Sequence, residues 1–397
     1  MKAAAFWQAP YRPLFTAAGV WAVICLAWWP LGTSFGVPSP ALSPPVLWHI
    51  HELFFGFAPA AVGGYLLTAM PNWIGKDPEQ GRVLQLLLFT WIGARLAMAV
   101  FDYVPLPILL PLNLAYLLLL TALMSYRLIV AKACAKLGFV AGLLALAGVQ
   151  VRFLLLAKSG DIASCIAPTQ ILLLGFAILL TFVGARMIPA FTQSWHQTIG
   201  WTGPAVQLRP RTRLYALLAL AISLVATGLD LPWLTIAAVV VASFGTFYAA
   251  LGWRSASTWR NPLLAGLHVA YLWLPLGLAA LALTELFPAL YPTEAAKHAL
   301  TIGAVSGLIL TVAGRAGCHT PSGQLKAPAP LIVAMICVWL TTALRLIAPV
   351  TPNETTWLKG AALLWCAAWI AFLITLRPSL IGAPVRPVLS GKKALKA

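Results

Sequence analysis

Residues 104–124 read VPLPILLPLNLAYLLLLTALM, an apolar run without a single charged side chain. About 20 mostly apolar residues are enough for a helix to cross the hydrocarbon core of a bilayer. Such runs recur along the chain, so that 61% of its 397 residues are hydrophobic and 9% are charged. Soluble domains carry roughly 25% charged residues, which excludes a soluble enzyme or a secreted scaffold. The sequence therefore predicts an all-α, polytopic membrane protein.

Hydropathy predicts about 12 spanning helices that form one transmembrane helical bundle. Asp102 and Asp230 mark tight turns, which split two long apolar stretches into helical hairpins. We expect a single integral-membrane domain over residues 1–397, ending in a basic cytoplasmic tail at 377–397. The predicted spans are 12–31, 50–70, 83–101, 104–124, 136–157, 168–189, 212–229, 231–251, 262–284, 297–314, 328–349 and 357–376.

The chain is strongly basic, with a formal net charge of +17, and membrane topology accounts for this excess of Lys and Arg. With the N-terminus inside, most Lys and Arg residues fall in inner connections, whereas the outer connections hold only Lys158, Lys297 and Lys359. Cytoplasmic loops are enriched in Lys and Arg in this way. Both termini are therefore predicted to be cytoplasmic. No nucleic-acid partner is expected, because topology accounts for the basic charge.

The spacing of the cysteines and a short sequence match bear on redox cofactors and on internal repeats. The six cysteines form no C-x-x-C pair and no C-x-x-C-H motif, which argues against a thiol redox pair and against covalent haem. GARLAMAVF at 93–101 and GARMIPAF at 184–191 match over too short a length to establish a duplication. We therefore expect no internal repeat and no pair of matching interrupted helices.

Three arginines, Arg95, Arg152 and Arg345, lie a few residues before the outer ends of their spans. At about 1.5 Å per residue they share a band roughly 6–9 Å below the outer surface. Glu52 is the only membrane-embedded carboxylate expected at that depth. Either the band binds an anionic ligand, or the arginines extend to the interface and bind water and helix-end carbonyls.

The six histidines divide into an outer and an inner group. His49, His51 and His298 open spans from the predicted outer side, at the level of the arginines. Two side chains at i and i+2 of a helix point about 200° apart, so His49 and His51 are not expected to ligate one ion from a regular helix. The alternative is that all three lie at a wet interface, where a histidine costs little.

The inner group lies toward the predicted cytoplasmic side. His268 falls well within an apolar run and needs a polar partner there. His319 follows Cys318 after the tenth span, and sulfur with imidazole could ligate a soft copper ion. A basic residue such as Arg315 is expected near a cytoplasmic boundary in any case.

Six local motifs stand out along the chain: PYRPLF at 10–15, WHIHELFFGF at 48–57, LLTAMPNWIG at 66–75, GARMIPAFT at 184–192, LHVAYLWLPLGL at 267–278 and KHALTIGAVSG at 297–307. This set of motifs resembles the NnrS family. The resemblance runs from about residue 6 to residue 375 in the family's order, and the W-H-x-H-E and P-N-W blocks are its most specific parts.

This resemblance implies a bacterial inner-membrane protein with haem and copper, associated with denitrification and with nitrosative stress resistance. Its partner would be nitric oxide or an iron-nitrosyl species. One departure stands after the tenth span, where the family's usual G-H-T-G-R becomes CHTPS at 318–322. That change puts any role of the inner loop in doubt.

Combined with the charge pattern, the resemblance predicts a non-covalent haem b at the outer band. Its expected iron ligands are His49, His51 and His298, because a haem brings one iron and two propionates to a single depth. A second metal site, for copper, is expected at His268 and His319. The residues expected around the propionates are Glu52, Arg95, Arg152 and Arg345.

Other functions stay open at this stage. Twelve spans with embedded charges also suit a secondary transporter of a small anionic or metal-complex substrate. A haem-copper oxidase subunit is disfavoured, because the six histidines include no adjacent pair. An assembly factor for denitrification enzymes is a further alternative.

Fusions to reporter proteins test the predicted orientation. Alkaline phosphatase inserted after Lys158 should be active, because it forms its disulfides only in the oxidising periplasm. Green fluorescent protein at the C-terminus should fluoresce. Phosphatase inserted after Lys132, on the predicted inner side, is the control and should be inactive; activity there with none after Lys158 would contradict the assignment.

Overall fold

A computed structural model describes residues 5–320, 322–385 and 387–389 of the chain. Within these residues, 12 helices are long and apolar enough to cross a membrane. They are α1 Tyr11–Phe35, α2 Pro45–Ile74, α3 Arg82–Ala99, α4 Leu106–Val130, α5 Cys134–Ser159, α6 Ile162–Thr198, α7 Pro210–Gly228, α8 Pro232–Leu251, α9 Pro262–Leu286, α10 Thr293–Gly317, α11 Ala329–Val350 and α12 Glu354–Leu380. Each helix covers one predicted span, so the predicted fold class is confirmed.

The chain divides into two compact units. The first unit runs up to Leu172 and also includes Phe372–Val388 at the end of α12. The second unit comprises Leu173–Ala371 and Leu389. Within the first unit α1 packs on α2, and α4 packs on both α3 and α5. Within the second unit each helix from α7 to α11 packs on the next, as the predicted hairpins require. From residue 390 onward, the predicted basic tail lies outside the described residues.

Prolines shape the first two helices. Helix α2 begins at Pro45, where the missing backbone N–H costs nothing because the first turn has no acceptor for it. Helix α1 is kinked at Trp29, with φ −136° and ψ 125°, since a residue before proline avoids the helical region and Pro30 follows it.

A wide, π-helical turn follows directly after one outer histidine in each unit. In α2 the turn is Glu52–Phe57, after His51, and in α10 it is Ala299–Ser306, after His298. Turns of this kind are rare and frequently occur at functional sites. Each histidine therefore stands at a local break in a spanning helix.

Side chains bind backbone carbonyls in both wide turns. Trp91 Nε1 donates to the Gly56 carbonyl at 2.9 Å, and Ser306 Oγ donates to the Thr301 carbonyl at 2.8 Å. Buried carbonyls need such partners when the regular helical hydrogen bonds are interrupted. These bonds stabilise the two interruptions.

The two wide turns belong to an internal repeat, so the expectation that there is none was wrong. Three motifs, W-x-P-L-G, H-x-L-x-x-G and R-L-x-x-x-V, occur in this order in α1–α3 and again in α9–α11. Their first copies begin at Trp28, His51 and Arg95, and their second copies begin at Trp273, His298 and Arg345. The expectation of no matching interrupted helices fails for the same reason, because α2 and α10 are such a pair.

The packing around the repeated glycines is also alike. A Cβ atom on Gly56 would lie 3.0 Å from Trp21 Nε1 of α1, and one on Gly303 would lie 2.6 Å from Trp273 of α9. In both units, therefore, the wide turn approaches a tryptophan of the preceding helix where only glycine leaves room. The repeat is hard to detect from the sequence, because its few shared residues are distributed over three helices.

A pair of glycine substitutions tests the packing of α9 on α10. Gly277→Ala should lower the melting temperature in detergent by about 5 °C, because the new Cβ would lie 2.7 Å from the Leu300 side chain and overpack the contact. Gly142→Ala in α5 is the control, since no atom lies within 4 Å of its new Cβ. Equal melting temperatures for the two variants would contradict this packing.

Candidate functional site

A buried ionic cluster joins α2 to α3 in the first unit. The Glu52 side chain is fully buried, and its Oε1 accepts a hydrogen bond from His51 Nδ1 at 2.8 Å. The other oxygen, Oε2, accepts from Arg95 Nη1 at 2.9 Å. Glu52 thus connects an imidazole of its own helix to a guanidinium of the next. The structure brings together three of the predicted site residues.

Two amides from neighbouring helices complete the cluster. Asn113 Oδ1 of α4 accepts from Arg95 Nη2 at 3.5 Å, and Gln150 Nε2 of α5 lies 3.3 Å from His51 Nε2. Both amide side chains are buried. Four helices of the first unit therefore contribute polar groups to one point inside an otherwise apolar packing.

The partners of the His51 ring define its tautomer. An ionised carboxylate can only accept, so Nδ1 carries the proton and donates it to Glu52. In the neutral ring Nε2 then has a lone pair, which accepts from the Gln150 amide nitrogen. The Oε1 atom of Gln150 is buried and has no hydrogen-bond partner among the described residues. The cluster thus contains one ring lone pair and, beside it, one unsatisfied acceptor.

Aromatic rings surround the ionic cluster and make its surroundings apolar. The His51 ring centroid lies 5.2 Å from that of Phe55 and 5.5 Å from that of Phe153. Trp91 covers Arg95, whose Cζ lies 5.7 Å from the ring centroid. Gly56 has no side chain where a Cβ would collide with Arg95 Nη1. An ion pair in such surroundings pays a large desolvation cost and depends on having every partner in place.

The remaining predicted residues of the first unit lie apart from the cluster. The His49 ring packs edge-on against Trp29, with centroids 5.3 Å apart, whereas His51 faces Phe153. The two rings therefore point different ways, as predicted from their spacing. Arg152 is exposed on α5, where its charge interacts with that of Asp161. It does not join Glu52.

In the second unit, the predicted outer residues lie at the start of α10 and near the end of α11. His298 Nδ1 donates to the Glu294 carbonyl at 2.9 Å, which also leaves the lone pair on Nε2. The first turns of α10 pack against α11, the helix that carries Arg345. The Nη1 atom of Arg345 is buried and has no hydrogen-bond partner among the described residues.

His268 has the polar partners that the sequence required. Thr192 Oγ1 lies 2.9 Å from His268 Nε2, and Ser255 Oγ lies 2.8 Å from Nδ1. Nearby in the chain, His196 Nε2 bonds to Ser257 Oγ at 2.7 Å. Hydroxyl groups therefore engage both ring nitrogens of His268.

The predicted copper site is not matched by a ligand cluster. His319 lies in the loop after α10, where its backbone pairs with that of Leu325. In the part of the chain that the structure describes, no group of three or more His, Cys, Asp or Glu side chains is arranged to hold a metal ion. These residues do not fit a copper centre of that kind.

Several functional groups escaped the sequence interpretation. Asn113 and Gln150 are amides within apolar spans, and Ser255 and Thr192 are hydroxyl groups that bind His268. The two amides do have a signal in the sequence, because they are uncharged polar side chains within apolar spans and buried polar groups need partners.

A two-step substitution tests the ionic cluster. Glu52→Gln should lower the free energy of unfolding by about 3–5 kcal/mol, because Arg95 would keep a buried charge without its carboxylate. Adding Arg95→Met should recover most of that loss, since no charge would then be buried. Unfolding by sodium dodecyl sulfate in mixed micelles measures both variants.

The exposed Arg152 offers the matched control for these variants. Arg152→Gln should leave the unfolding curve unchanged, because this arginine is exposed and takes no part in the cluster. Additive losses in the double variant, instead of recovery, would contradict the pairing of Glu52 with Arg95.

Comparison with known proteins agrees with the motifs. The sequence model of the family described as NnrS protein matches residues 5–383 of the chain. No curated protein shows significant similarity to it. Because the match covers nearly the whole chain, the protein belongs to the NnrS family of membrane proteins, which is linked to the nitric oxide response.

Proposed function

We propose that this protein is a haem-containing inner-membrane protein that binds or processes nitric oxide or iron-nitrosyl species in nitrosative stress resistance and denitrification. The observation that supports the proposal is the His51–Glu52 pair of the first unit. Its hydrogen bond holds the proton on Nδ1 and leaves the lone pair on Nε2. Metal-ligating histidines commonly donate their other ring nitrogen to a carboxylate in this way.

The donor set around His51 fits a haem b. Neutral imidazole is a common axial ligand of haem iron, and the Phe55 and Phe153 rings supply the apolar surroundings of such a ligand. Gln150 Nε2 engages the ring lone pair, and Gln150 Oε1 is buried without a partner among the described residues, so an iron at His51 Nε2 would replace this amide contact. A bound haem would supply an iron that takes nitric oxide as a ligand.

Each residue of the cluster then has a defined task. Glu52 orients the ring and fixes its tautomer by accepting a hydrogen bond from Nδ1. Arg95 Nη1 donates to the second Glu52 oxygen, and Asn113 Oδ1 accepts from the far side of the guanidinium. Arg95 thus acts as the partner of Glu52, which differs from its predicted role beside a propionate. His49 and His298 stay predictions as ligands.

The proposal rests on haem, and copper stays a prediction. The described residues offer no group of three ligands around His319, so His268 and His319 stay predictions as copper ligands. Nitric oxide is small and neutral, so it can reach a site within the bilayer through the lipid. The cluster therefore needs no polar entrance for this substrate.

Transport is a second candidate function, which one observation favours. Interrupted helices at corresponding positions of an internal repeat commonly form the substrate site of secondary transporters. Helices α2 and α10 are such a pair, each with a wide turn after its histidine. Uptake of a small anion into vesicles by haem-free protein would favour this function.

Removal and chemical replacement of one imidazole tests the haem proposal. His51→Gly should purify without a Soret band, because the axial ligand is lost. Growth and purification with free imidazole should restore much of the band, since the small ring can occupy the vacated space. His268→Ala is the matched control, because His268 is also a buried imidazole with two hydrogen-bond partners, and it should keep the band since the proposal assigns the haem to His51.

Restoration by imidazole separates a lost ligand from a lost fold. An unchanged Soret band in folded His51→Gly would exclude His51 as the haem ligand. Loss of the band in His268→Ala but not in His51→Gly would move the proposed site to the second unit.

A further inference from the structure

The two copies of the repeat differ at one decisive position. In the first unit the residue after the histidine is Glu52, whose carboxylate neutralises Arg95. In the second unit the residue after His298 is Ala299, which is small and buried. The arginine of the third motif is nevertheless present in the second copy, as Arg345. The second copy therefore keeps the cation and lacks the carboxylate that the first copy supplies.

No other acid in the described part of the second unit replaces that carboxylate. Glu294 is held by Lys297, with Nζ to Oε1 at 2.5 Å. Glu354 is exposed and interacts with Arg345 only through longer-range electrostatics, since the described residues form no ion pair between them. The Tyr291 hydroxyl donates to the Leu346 carbonyl at 2.5 Å. None of these groups binds the guanidinium.

The exposure of Arg345 suits a ligand that arrives from outside the chain. Its Nη1 atom is buried and without a partner among the described residues, yet the side chain as a whole is partly exposed. It lies close to the end of α11, and Val350 there is 66% exposed. A buried guanidinium nitrogen that water does not reach needs a hydrogen-bond acceptor, and an anionic acceptor forms the stronger, charge-assisted bond. The Arg345 guanidinium is therefore partly accessible to a small molecule, and its Nη1 atom has no acceptor among the described residues.

We propose that the second unit binds a planar oxyanion, a carboxylate or nitrite, at Arg345. The ligand takes the place that the Glu52 carboxylate occupies beside Arg95 in the first unit. The guanidinium presents a flat fork of N–H donors, which matches two oxygens in one plane and two parallel hydrogen bonds. The site lies outside the His51 cluster, and it uses a residue that the proposed function leaves without a role.

Two sources could supply the anion. One is a free oxyanion from the solution outside the predicted outer surface, and the other is a carboxylate of a larger bound molecule such as a haem propionate. Both present the same two oxygens to Arg345. The experiment therefore compares full-length protein prepared with haem and without it.

The melting temperature in detergent is the measurement, with sodium nitrite, sodium acetate or sodium chloride added at equal ionic strength. Nitrite and acetate should raise the melting temperature of haem-free wild type by about 2 °C or more relative to chloride, because they bind only the folded state. Arg345→Gln should abolish this response. Arg152→Gln is the matched control, an exposed arginine that should leave the response unchanged.

The second variant adds a carboxylate to the second unit. Ala299→Glu recreates in the second copy the residue that the first copy has, so its own carboxylate should fill the site and abolish the anion response. Adding Arg345→Gln to Ala299→Glu should lower the melting temperature below that of either single variant, because the new carboxylate would lose its partner. This variant stays informative even if Arg345→Gln folds poorly.

The two sources give different results with haem present. A response to nitrite and acetate in haem-loaded wild type assigns the site to a free anion. A response only in haem-free protein, with haem lost in Arg345→Gln, assigns it to a carboxylate of the cofactor. An equal anion response in wild type and Arg345→Gln would overturn the proposal. The proposal would also be overturned if neither haem-loaded nor haem-free wild type responded to nitrite or acetate and Arg345→Gln retained all of its haem.

Discussion

The ion pair between Glu52 and Arg95 is the constraint on which the first unit depends. A charged pair inside a membrane protein is tolerated only when hydrogen bonds satisfy the remaining donors and acceptors. The local sequence provides them: His51 precedes Glu52 on the same helix, Asn113 binds Arg95, and Gly56 leaves space for the guanidinium. The wide turn after His51 brings these groups together at a break in α2.

The internal repeat explains why the second unit resembles the first and yet differs from it in chemistry. Both copies place a histidine before a wide turn and a tryptophan against the glycine of that turn. One change, Glu52 in the first copy against Ala299 in the second, separates a site with its own anion from one that lacks it. On our two proposals, the same scaffold holds an imidazole ligand in one unit and binds an external anion in the other.

Composition and hydropathy were enough to predict all 12 helices, because a span is decided by some 20 residues acting together. The partner requirement of His268 was also predicted correctly. Depth placed Glu52 at the level of three arginines but did not identify Arg95 as its partner, since depth along a helix does not tell which side of the helix faces a neighbour. The amides Asn113 and Gln150 and the repeat were missed, because uncharged residues and short motifs give weak signals in an apolar chain.

The central claim is that the imidazole lone pair held in place by Glu52 binds a haem. The most direct measurement is the optical spectrum of the purified protein when oxidised, reduced, and reduced with nitric oxide, together with its iron content. The account predicts near-stoichiometric iron and a Soret band that shifts when the gas is added. Folded protein without a Soret band, isolated from a host supplied with haem, would contradict it.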